Sequence, residues 1–323
     1  MKVELTDKDK KDFLKTMLRI RHFEEKVYQL YLTTDKLYGM SPHLSIGQEA
    51  VPTGVCKALR KEDYIVSTHR GHGHCLSKGA DMKFMIAEIL GKETGYCKGR
   101  GGTMHIADVN NGILGANGIV GGGLPIAAGV GISIKYRGTD QVCTSFFGDG
   151  ASNQGTFHES VNLCAAFKLP VIFVCENNIY ALSTSISKVS ATPNVADRAK
   201  GYDIPGVIVD GMDPIAIYEQ AVKAVQRARK GDGPSIIEAK TYRFLGHGAS
   251  DNRSYRTREE EREWKKKGPI VRFKKRLIEE GVIREEEIEM MEQEAKREVE
   301  EAAEYGLSSP EPDTNDVEKY LYI

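Results

Sequence analysis

The chain has 323 residues, enough for one large domain or two small ones with a sizeable buried core. Its 45 basic side chains nearly cancel its 46 acidic ones, so no overall charge favours nucleic acid or an anionic membrane as a partner. Six cysteines occur without CxxC spacing, which is typical of a reduced protein. Residues 1–13 lack the apolar run of a secretory signal, and we therefore expect a cytoplasmic protein.

The two ends of the chain are predicted to be helical. Residues 1–36 form an N-terminal helical arm, because apolar side chains recur at helical spacing from Phe13 to Tyr31. Residues 256–323 form a charged helical extension. Between Arg256 and Glu301, 28 of 46 residues are charged, yet apolar residues persist at helical intervals. This pattern favours amphipathic helices with salt-bridged outer faces over disorder.

The middle segment, residues 37–255, carries nearly all of the glycine and alternates short apolar runs with helical patterns. Helices are predicted at 154–167 and 214–230, and strands at 142–147, 171–175, 207–209 and 235–239. This alternation predicts an α/β fold with a doubly wound, mostly parallel sheet that helices cover on both faces. Polar residues and a proline interrupt the apolar stretch 112–134, which favours a buried loop and helix over a membrane span.

A candidate metal site follows from two of these strands. The sequence GDG (148–150) ends one strand, and the sequence NN (177–178) ends the next, with 26 residues between them. If the strands are neighbours, their carboxyl ends lie only about 5 Å apart, so Asp149 and Asn178 converge where open α/β sheets bind ligands. One carboxylate and one amide oxygen suit Mg²⁺, with phosphates and water completing the coordination.

This constellation resembles the thiamin diphosphate-binding signature. The run GDGASNQG…LPVIFVCENNIY is similar to the alpha subunit of the thiamin-dependent first component of 2-oxo acid dehydrogenase complexes. The resemblance covers residues 20–258 and includes IGQEA, STHRGHGH, KGRGGTMH, GANGIVGGG, VDGMD and YRTREE. It is strongest to the acetoin dehydrogenase branch, with pyruvate dehydrogenase next.

The resemblance implies a set of site residues, written here as expectations. Mg²⁺ is bound by the side chains of Asp149 and Asn178 and by the backbone carbonyl of Tyr180. Arg70 grips the diphosphate with its planar guanidinium. The remaining cofactor-binding positions are His69, Gly118, Val120, Gly150, Ala151, Leu182 and His247. Pyruvate-type relatives carry tyrosine where this chain has His69. They also carry a phosphorylated serine directly after the loop histidine, where this chain has Gly248, which excludes that regulation here.

The histidines allow more than one interpretation. His69, His72 and His74 form a short cluster that could be a zinc site, although no cysteine or carboxylate nearby completes the ligand set. The cluster could also be an irregular loop with solvated imidazoles. The resemblance instead implies catalytic roles for His43, His72 and His247, the last on a mobile glycine-flanked loop at residues 244–258.

The resemblance also implies the reaction and the partners. The chain supplies only the half of the site that holds the diphosphate and metal, so we expect a beta subunit in an α2β2 heterotetramer. The enzyme would cleave acetoin, or alternatively decarboxylate pyruvate or a branched-chain 2-oxo acid, and pass the acyl unit to a lipoyl group on an acyltransferase. A nicotinamide-dependent Rossmann enzyme is a remote alternative, because GANGIVGGG does not fit GxGxxG. A catalytically silent subunit is another.

Overall fold

The computed structural model describes residues 4–34, 41–316 and 318–320, so the predicted boundary between residues 36 and 37 lies outside the described residues. Within those residues the chain forms the α-helices α1 (Asp7–Thr33), α2 (Ala50–Lys57), α3 (His72–Lys78), α4 (Met82–Ile89), α5 (Gly123–Arg137), α6 (Gly155–Ala166), α7 (Pro214–Arg229), α8 (Arg258–Lys266), α9 (Pro269–Glu279) and α10 (Glu285–Ser308). The strands are β1 (Tyr64–Val66), β2 (Cys143–Gly148), β3 (Val171–Asn177), β4 (Tyr180–Ala181), β5 (Thr184–Ser185), β6 (Gly206–Asp210) and β7 (Ser235–Lys240). None of the described helices combines the length and the apolar character that crossing a membrane requires.

Five strands form one sheet in the order β1-β2-β3-β7-β6, and every neighbouring pair is parallel. Strands β4 and β5 make a separate antiparallel pair. The central strand β3 is buried along its whole length, as a continuous apolar run in a parallel sheet should be. The predicted α/β fold with its mostly parallel sheet is thus confirmed.

Side chains of the central strands alternate between two hydrophobic clusters, which places one cluster on each face of the sheet. Ile172 and Val174 of β3 belong to the cluster that also contains residues of α1, α2 and α7. Val171 and Phe173 belong to the other cluster, with residues of α5 and α6. Helices therefore cover both faces, and the carboxyl edge of the sheet is left for loops.

Helix α1 begins at a capping box and runs across the core. The Thr6 hydroxyl accepts a hydrogen bond from the Asp9 backbone N–H at 3.1 Å, and the Asp9 carboxylate accepts one from the Thr6 N–H at 3.1 Å. Its apolar face is buried from Phe13 to Leu30. The opposite side forms ion pairs with α10, at Lys11–Glu287, Lys15–Glu294, Arg19–Glu298 and Lys26–Glu300.

The charged C-terminal helices pack onto the rest of the chain. Ile288, Ala295 and Val299 of α10 are buried in the same hydrophobic cluster as α1 and the sheet. Four of the ten glutamates of α10 pair with basic residues of α1, so part of the charge in this segment joins the two helices. The three predicted segments therefore share one hydrophobic core.

Strand register brings the two predicted metal-binding segments together. Gly148 at the end of β2 lies opposite Glu176 of β3, so Asp149 and Asn178 follow at the same edge of the sheet. Between β2 and α6 lies a 3-10 turn at Asp149–Asn153. The backbone N–H groups that follow the GDG sequence therefore belong to this turn.

Candidate active site

A cavity of about 330 Å³ opens at the carboxyl ends of β2 and β3. Most of the predicted site residues line it: His43, His69, Arg70, Gly118, Val120, Asp149, Gly150, Ala151, Asn178, Tyr180, Leu182 and His247. These residues come from six separate parts of the chain, and the carboxyl edge of the sheet gathers them. The position is the one at which open α/β sheets bind ligands.

Two buried oxygen atoms in this cavity lack hydrogen-bond donors. Oδ2 of Asp149 and Oδ1 of Asn178 are both inaccessible and without a partner, while Nδ2 of Asn178 donates to Oε1 of Gln48 at 3.0 Å. Burial raises the pKa of Asp149 to about 6, although the backbone N–H groups of Asp149 and Asn178 and the charge of Arg243 favour its ionised form. Two unpaired hard oxygens in a buried setting are a donor set that fits Mg²⁺.

The third predicted metal ligand is already engaged. The backbone carbonyl of Tyr180 accepts a hydrogen bond from Nη1 of Arg243 at 3.0 Å. The phenol of Tyr180 points away and donates to Oε2 of Glu260 at 3.0 Å. The carbonyl of this residue, which is the predicted metal ligand, therefore lies on the side of Arg243, and the phenol does not.

Two buried guanidinium groups line the same cavity. Arg70 donates to the carbonyls of Leu44 at 2.7 Å and His247 at 2.9 Å, and burial lowers its pKa to about 10. Arg243 donates to the carbonyls of Tyr180 and Leu182, and its Nε has no partner. In the described part of the chain, neither arginine forms a salt bridge with a carboxylate. Two buried cations without a salt-bridge partner among these residues predict an anionic ligand.

Arg243 is not among the site residues predicted from the sequence, although the sequence contains a signal for it. Arg243 follows β7, the neighbour of β3, and parallel strands end at the same edge of a sheet. It also precedes His247 by four residues, within the sequence YRFLGHG.

Three imidazoles meet at the cavity. The ring centroids of His43, His69 and His247 lie 4.7–5.3 Å apart. Burial, together with the positive charge of Arg70, lowers their pKa values to about 4, about 2 and about 3, respectively. At neutral pH they are uncharged and can donate or accept hydrogen bonds. Their nitrogens lie within 4.8 Å of one another, but the same burial and positive charge that oppose protonation also oppose a metal cation.

His72 does not line the cavity, although a catalytic role is predicted for it from the sequence. Its ring is fully buried behind the cavity wall, with Nδ1 2.8 Å from Oε2 of Glu24 and Nε2 2.8 Å from Oγ1 of Thr103. Glu24 also accepts two hydrogen bonds from Ser45. Both ring nitrogens are thus engaged in a network that joins α1, the segment of His43 and the start of α3.

The zinc alternative fails for a related reason. His74 is buried, with its Nδ1 2.7 Å from the Ser67 hydroxyl and its ring stacked on Phe146. His69, by contrast, faces the cavity. His69, His72 and His74 therefore point into different environments and form no common ligand set.

Small or strained residues shape the cavity where a ligand would approach. A side chain at Gly150 would have its Cβ 2.5 Å from the Cβ of Ala181, so no larger residue fits. At Gly148 a Cβ would meet no protein atom within 4 Å and would project into open space. Leu182 adopts a φ of 52°, uncommon for a non-glycine residue, and its side chain remains 60% exposed at the rim.

The glycine-rich sequence KGRGGTMH (98–105) folds around a buried carboxylate. Glu88 of α4 is fully buried, and its two oxygens accept four backbone N–H groups from residues 97–102. The distances are 2.7 Å for Cys97, 2.9 Å for Gly99, 2.6 Å for Gly101 and 3.0 Å for Gly102. Only Met104 of this motif lines the cavity.

The fold and this cavity define an α/β protein that receives an anionic ligand at the carboxyl edge of a parallel sheet. Residues 15–315 match the family model described as "Dehydrogenase E1 component". The chain therefore belongs to the dehydrogenase E1 component family, whose members are thiamin diphosphate-dependent oxidoreductases.

Named relatives are similar along nearly the whole chain. The alpha subunit of acetoin:2,6-dichlorophenolindophenol oxidoreductase from Bacillus subtilis is 47% identical over 311 residues, which is 95% of this chain and 91% of the relative. The protein of the same name from Cupriavidus necator is 44% identical over 308 residues, 95% and 92% of the two chains. The pyruvate dehydrogenase E1 component subunit alpha of Porphyra purpurea is 40% identical over 313 residues, 95% and 90% of the two chains.

Proposed function

We propose that this chain is the alpha subunit of a thiamin diphosphate- and Mg²⁺-dependent enzyme that cleaves acetoin and transfers the acyl unit to a lipoyl group. The observation that supports the proposal is that one cavity contains both unpaired oxygens and unpaired cations. Asp149 and Asn178 each present a buried oxygen without a hydrogen-bond donor, and Arg70 and Arg243 present guanidinium groups that form no salt bridge among the described residues. A diphosphate with its metal ion supplies both missing partners.

The metal would be held by Oδ2 of Asp149 and Oδ1 of Asn178. The carbonyl of Tyr180 is the third protein ligand that we propose, and it is the group for which Arg243 competes. Asp149 provides the only formal negative charge among the three. Its ionisation is opposed chiefly by burial and to a smaller extent by the charge of Glu238, and a divalent cation beside it would lower its pKa.

The diphosphate would be bound by Arg70 and Arg243, with the backbone of Gly150 and Ala151 beneath it. Gly150 already packs too closely on Ala181 to carry a side chain, which keeps the backbone of the turn accessible to a phosphate. Gly118, Val120 and Leu182 line the same cavity, and we assign them contacts with the rest of the cofactor.

Thiamin diphosphate supplies the chemistry that breaks a carbon–carbon bond beside a carbonyl. The chain's own contribution is orientation and hydrogen bonding. His43, His69 and His247 offer uncharged imidazoles next to the arginines proposed to bind the diphosphate, and neutral imidazoles can donate or accept a hydrogen bond at the substrate oxygen. His72 is assigned no contact with substrate.

Similarity to named relatives favours acetoin over pyruvate. The relatives with acetoin names are 47% and 44% identical, and the pyruvate dehydrogenase relative is 40% identical. Oxidative decarboxylation of pyruvate or of a branched-chain 2-oxo acid is the second candidate.

Two further proteins complete the proposal. A beta subunit would cover the cofactor from the other side in an α2β2 assembly, and an acyltransferase would present the lipoyl group. We place this assembly in the cytoplasm, in line with the reduced cysteines and the absence of a membrane-spanning helix among the described residues.

A side-by-side assay tests the substrate. The chain and its beta subunit are purified together, loaded with thiamin diphosphate and Mg²⁺, and supplied in turn with acetoin, pyruvate and a branched-chain 2-oxo acid. Reduction of 2,6-dichlorophenolindophenol is followed in each case. We expect the highest kcat/KM with acetoin, and a higher value with pyruvate would overturn the assignment of acetoin as the substrate. If cofactor and metal together give no thermal stabilisation, the assignment of the cavity as the cofactor site is wrong.

A further inference from the structure

Helices α5 and α6 start at the cavity mouth and lie side by side. Near their first turns, the Thr156 hydroxyl lies 3.4 Å from the carbonyl of Gly121, and both residues are close to the cavity lining. At the far end, Nζ of Lys135 donates to the carbonyl of Phe167 at 2.6 Å. The inner sides of both helices are buried against the same face of the sheet. Their outer sides therefore form one continuous surface that leads away from the cavity.

This outer surface is unusually apolar. We define the α5–α6 face by its large exposed apolar side chains, which are Ile126, Ile132, Tyr136, Leu163 and Phe167. Tyr136 is 91% exposed and Phe167 is 58% exposed. A face of this composition buries large apolar area when another surface covers it.

Charge is nearly absent from the two helices. Helix α5 has two charged residues in fifteen, both in its last turn, and α6 has one, Glu159, in twelve. Helix α10, which also faces solvent, has twelve in twenty-four. A helix that is apolar on all sides is normally buried on all sides. The composition of α5 is thus that of a helix with neighbours on both faces, and the described residues of this chain supply a neighbour on only one.

The cavity rim continues the same surface. Ile119 and Val120, directly before α5, are 73% and 51% exposed while lining the cavity, and Leu182 is 60% exposed across the opening. One partner surface can therefore cover the α5–α6 face and the mouth of the cavity together. A partner that completes the cofactor site must do this, whereas a partner bound elsewhere on the chain need not.

We propose that the α5–α6 face, together with the rim residues Ile119, Val120 and Leu182, is the docking surface for the beta subunit. This inference rests on the proposed function, and it adds the location and chemistry of the contact. Because the face carries almost no charge, the matching surface of the beta subunit is apolar and uncharged. Binding should therefore depend only weakly on salt.

Three variants separate this surface from the rest of the chain. Ile132→Glu places a charge in the middle of the face at an outward position, and Tyr136→Ala removes apolar area from a side chain that contacts little of its own chain. Met290→Glu is the matched control, since Met290 is an outward residue of α10 with 69% exposure. Thermal unfolding of each purified chain checks that the fold is kept, and Tyr136→Ala remains informative if Ile132→Glu unfolds.

The measurement is the affinity of each chain for the beta subunit of the same enzyme, with the mass of each species determined by light scattering. We expect Ile132→Glu to weaken binding at least 100-fold and Tyr136→Ala at least 5-fold, with Met290→Glu unchanged. Equal affinity of Ile132→Glu and Met290→Glu for the beta subunit would show that the α5–α6 face is not the docking surface, and the proposed function would still stand. If the unmodified chain fails to bind the beta subunit, the docking surface and the proposed function are both wrong. If Ile132→Glu breaks a dimer of this chain and leaves beta binding intact, the face joins two copies of the chain and the proposal is wrong.

Discussion

Replacing Asp149 with asparagine should stabilise the metal-free chain while abolishing metal-dependent cofactor binding. Burial raises the pKa of Asp149 from 3.8 to about 6. At about 1.4 kcal/mol per pKa unit, ionising this carboxyl in the folded chain costs roughly 3 kcal/mol more than in the unfolded chain. Asparagine has nearly the same shape and carries no charge, so the variant avoids this cost.

The pH dependence follows from the direction of the shift. Because the pKa is raised in the folded chain, the folded state holds more protons than the unfolded state between about pH 4 and pH 6. The unmodified chain therefore loses roughly 3 kcal/mol of stability as the pH rises through this window, and Asp149→Asn does not. The difference between the two proteins should be absent near pH 4 and complete at pH 8.

Urea unfolding in EDTA at several pH values measures this difference. Asp63→Asn is the matched control, because Asp63 is equally buried but paired with Arg229 and bonded to the backbone N–H of Val142 at 3.0 Å. Removing that charge breaks charge-assisted hydrogen bonds and should destabilise the chain by roughly 2 kcal/mol. A stabilised Asp149→Asn chain that no longer responds to thiamin diphosphate with Mg²⁺ supports the metal assignment. An Asp149→Asn chain less stable than its parent at pH 8 would refute the reasoning.

Three more predictions concern other residues of the site. Arg70→Lys should lower the affinity for thiamin diphosphate at least 10-fold by calorimetry, because an ammonium cannot reproduce a two-pronged grip on phosphate; equal affinity would exclude the contact. His247→Ala should reduce turnover more than it reduces cofactor affinity, and trypsin cleavage after Arg253 should slow when cofactor and Mg²⁺ are added; cleavage indifferent to both would exclude closure of this loop over the site. Thr103→Val should destabilise the chain by about 1–3 kcal/mol, since it leaves a nitrogen of the buried His72 without a partner, whereas Thr103→Ser should be close to the parent in urea unfolding.

The sheet and the convergence of Asp149 and Asn178 at its edge were predictable because they depend on local signals. The runs at 142–147 and 171–175 contain few residues that a helix would favour, and the polar residues after them mark where the strands end. Once β2 and β3 are neighbours, strand geometry alone brings Asp149 and Asn178 to one edge. The strand β1 and the helices α2 to α4 were not predicted, because they are only three to eight residues long and gain their stability from packing.

The direction of a side chain was harder to predict than its place in the chain. His69 and His72 are three positions apart, yet one faces the cavity and the other faces α1. The difference arises because α3 begins at His72 and turns that ring toward Glu24, a residue 48 positions earlier. A buried partner so distant in sequence leaves no local signal. Composition alone likewise could not distinguish the outward face of α5 from a buried face, because the packing partners of a helix leave no signal in its own sequence.

The carboxylate of Glu88 has a consequence for how phosphate-binding loops are recognised. A glycine-rich loop with several convergent N–H groups is normally assigned to an external anion. In the segment 97–102 those groups close on a carboxylate from the same chain, so the anion is permanent and internal. The loop is thereby set in shape whether or not a cofactor is bound, and no phosphate can compete for it. Glycine spacing alone would thus point to a second phosphate site that the chain has already filled with its own side chain.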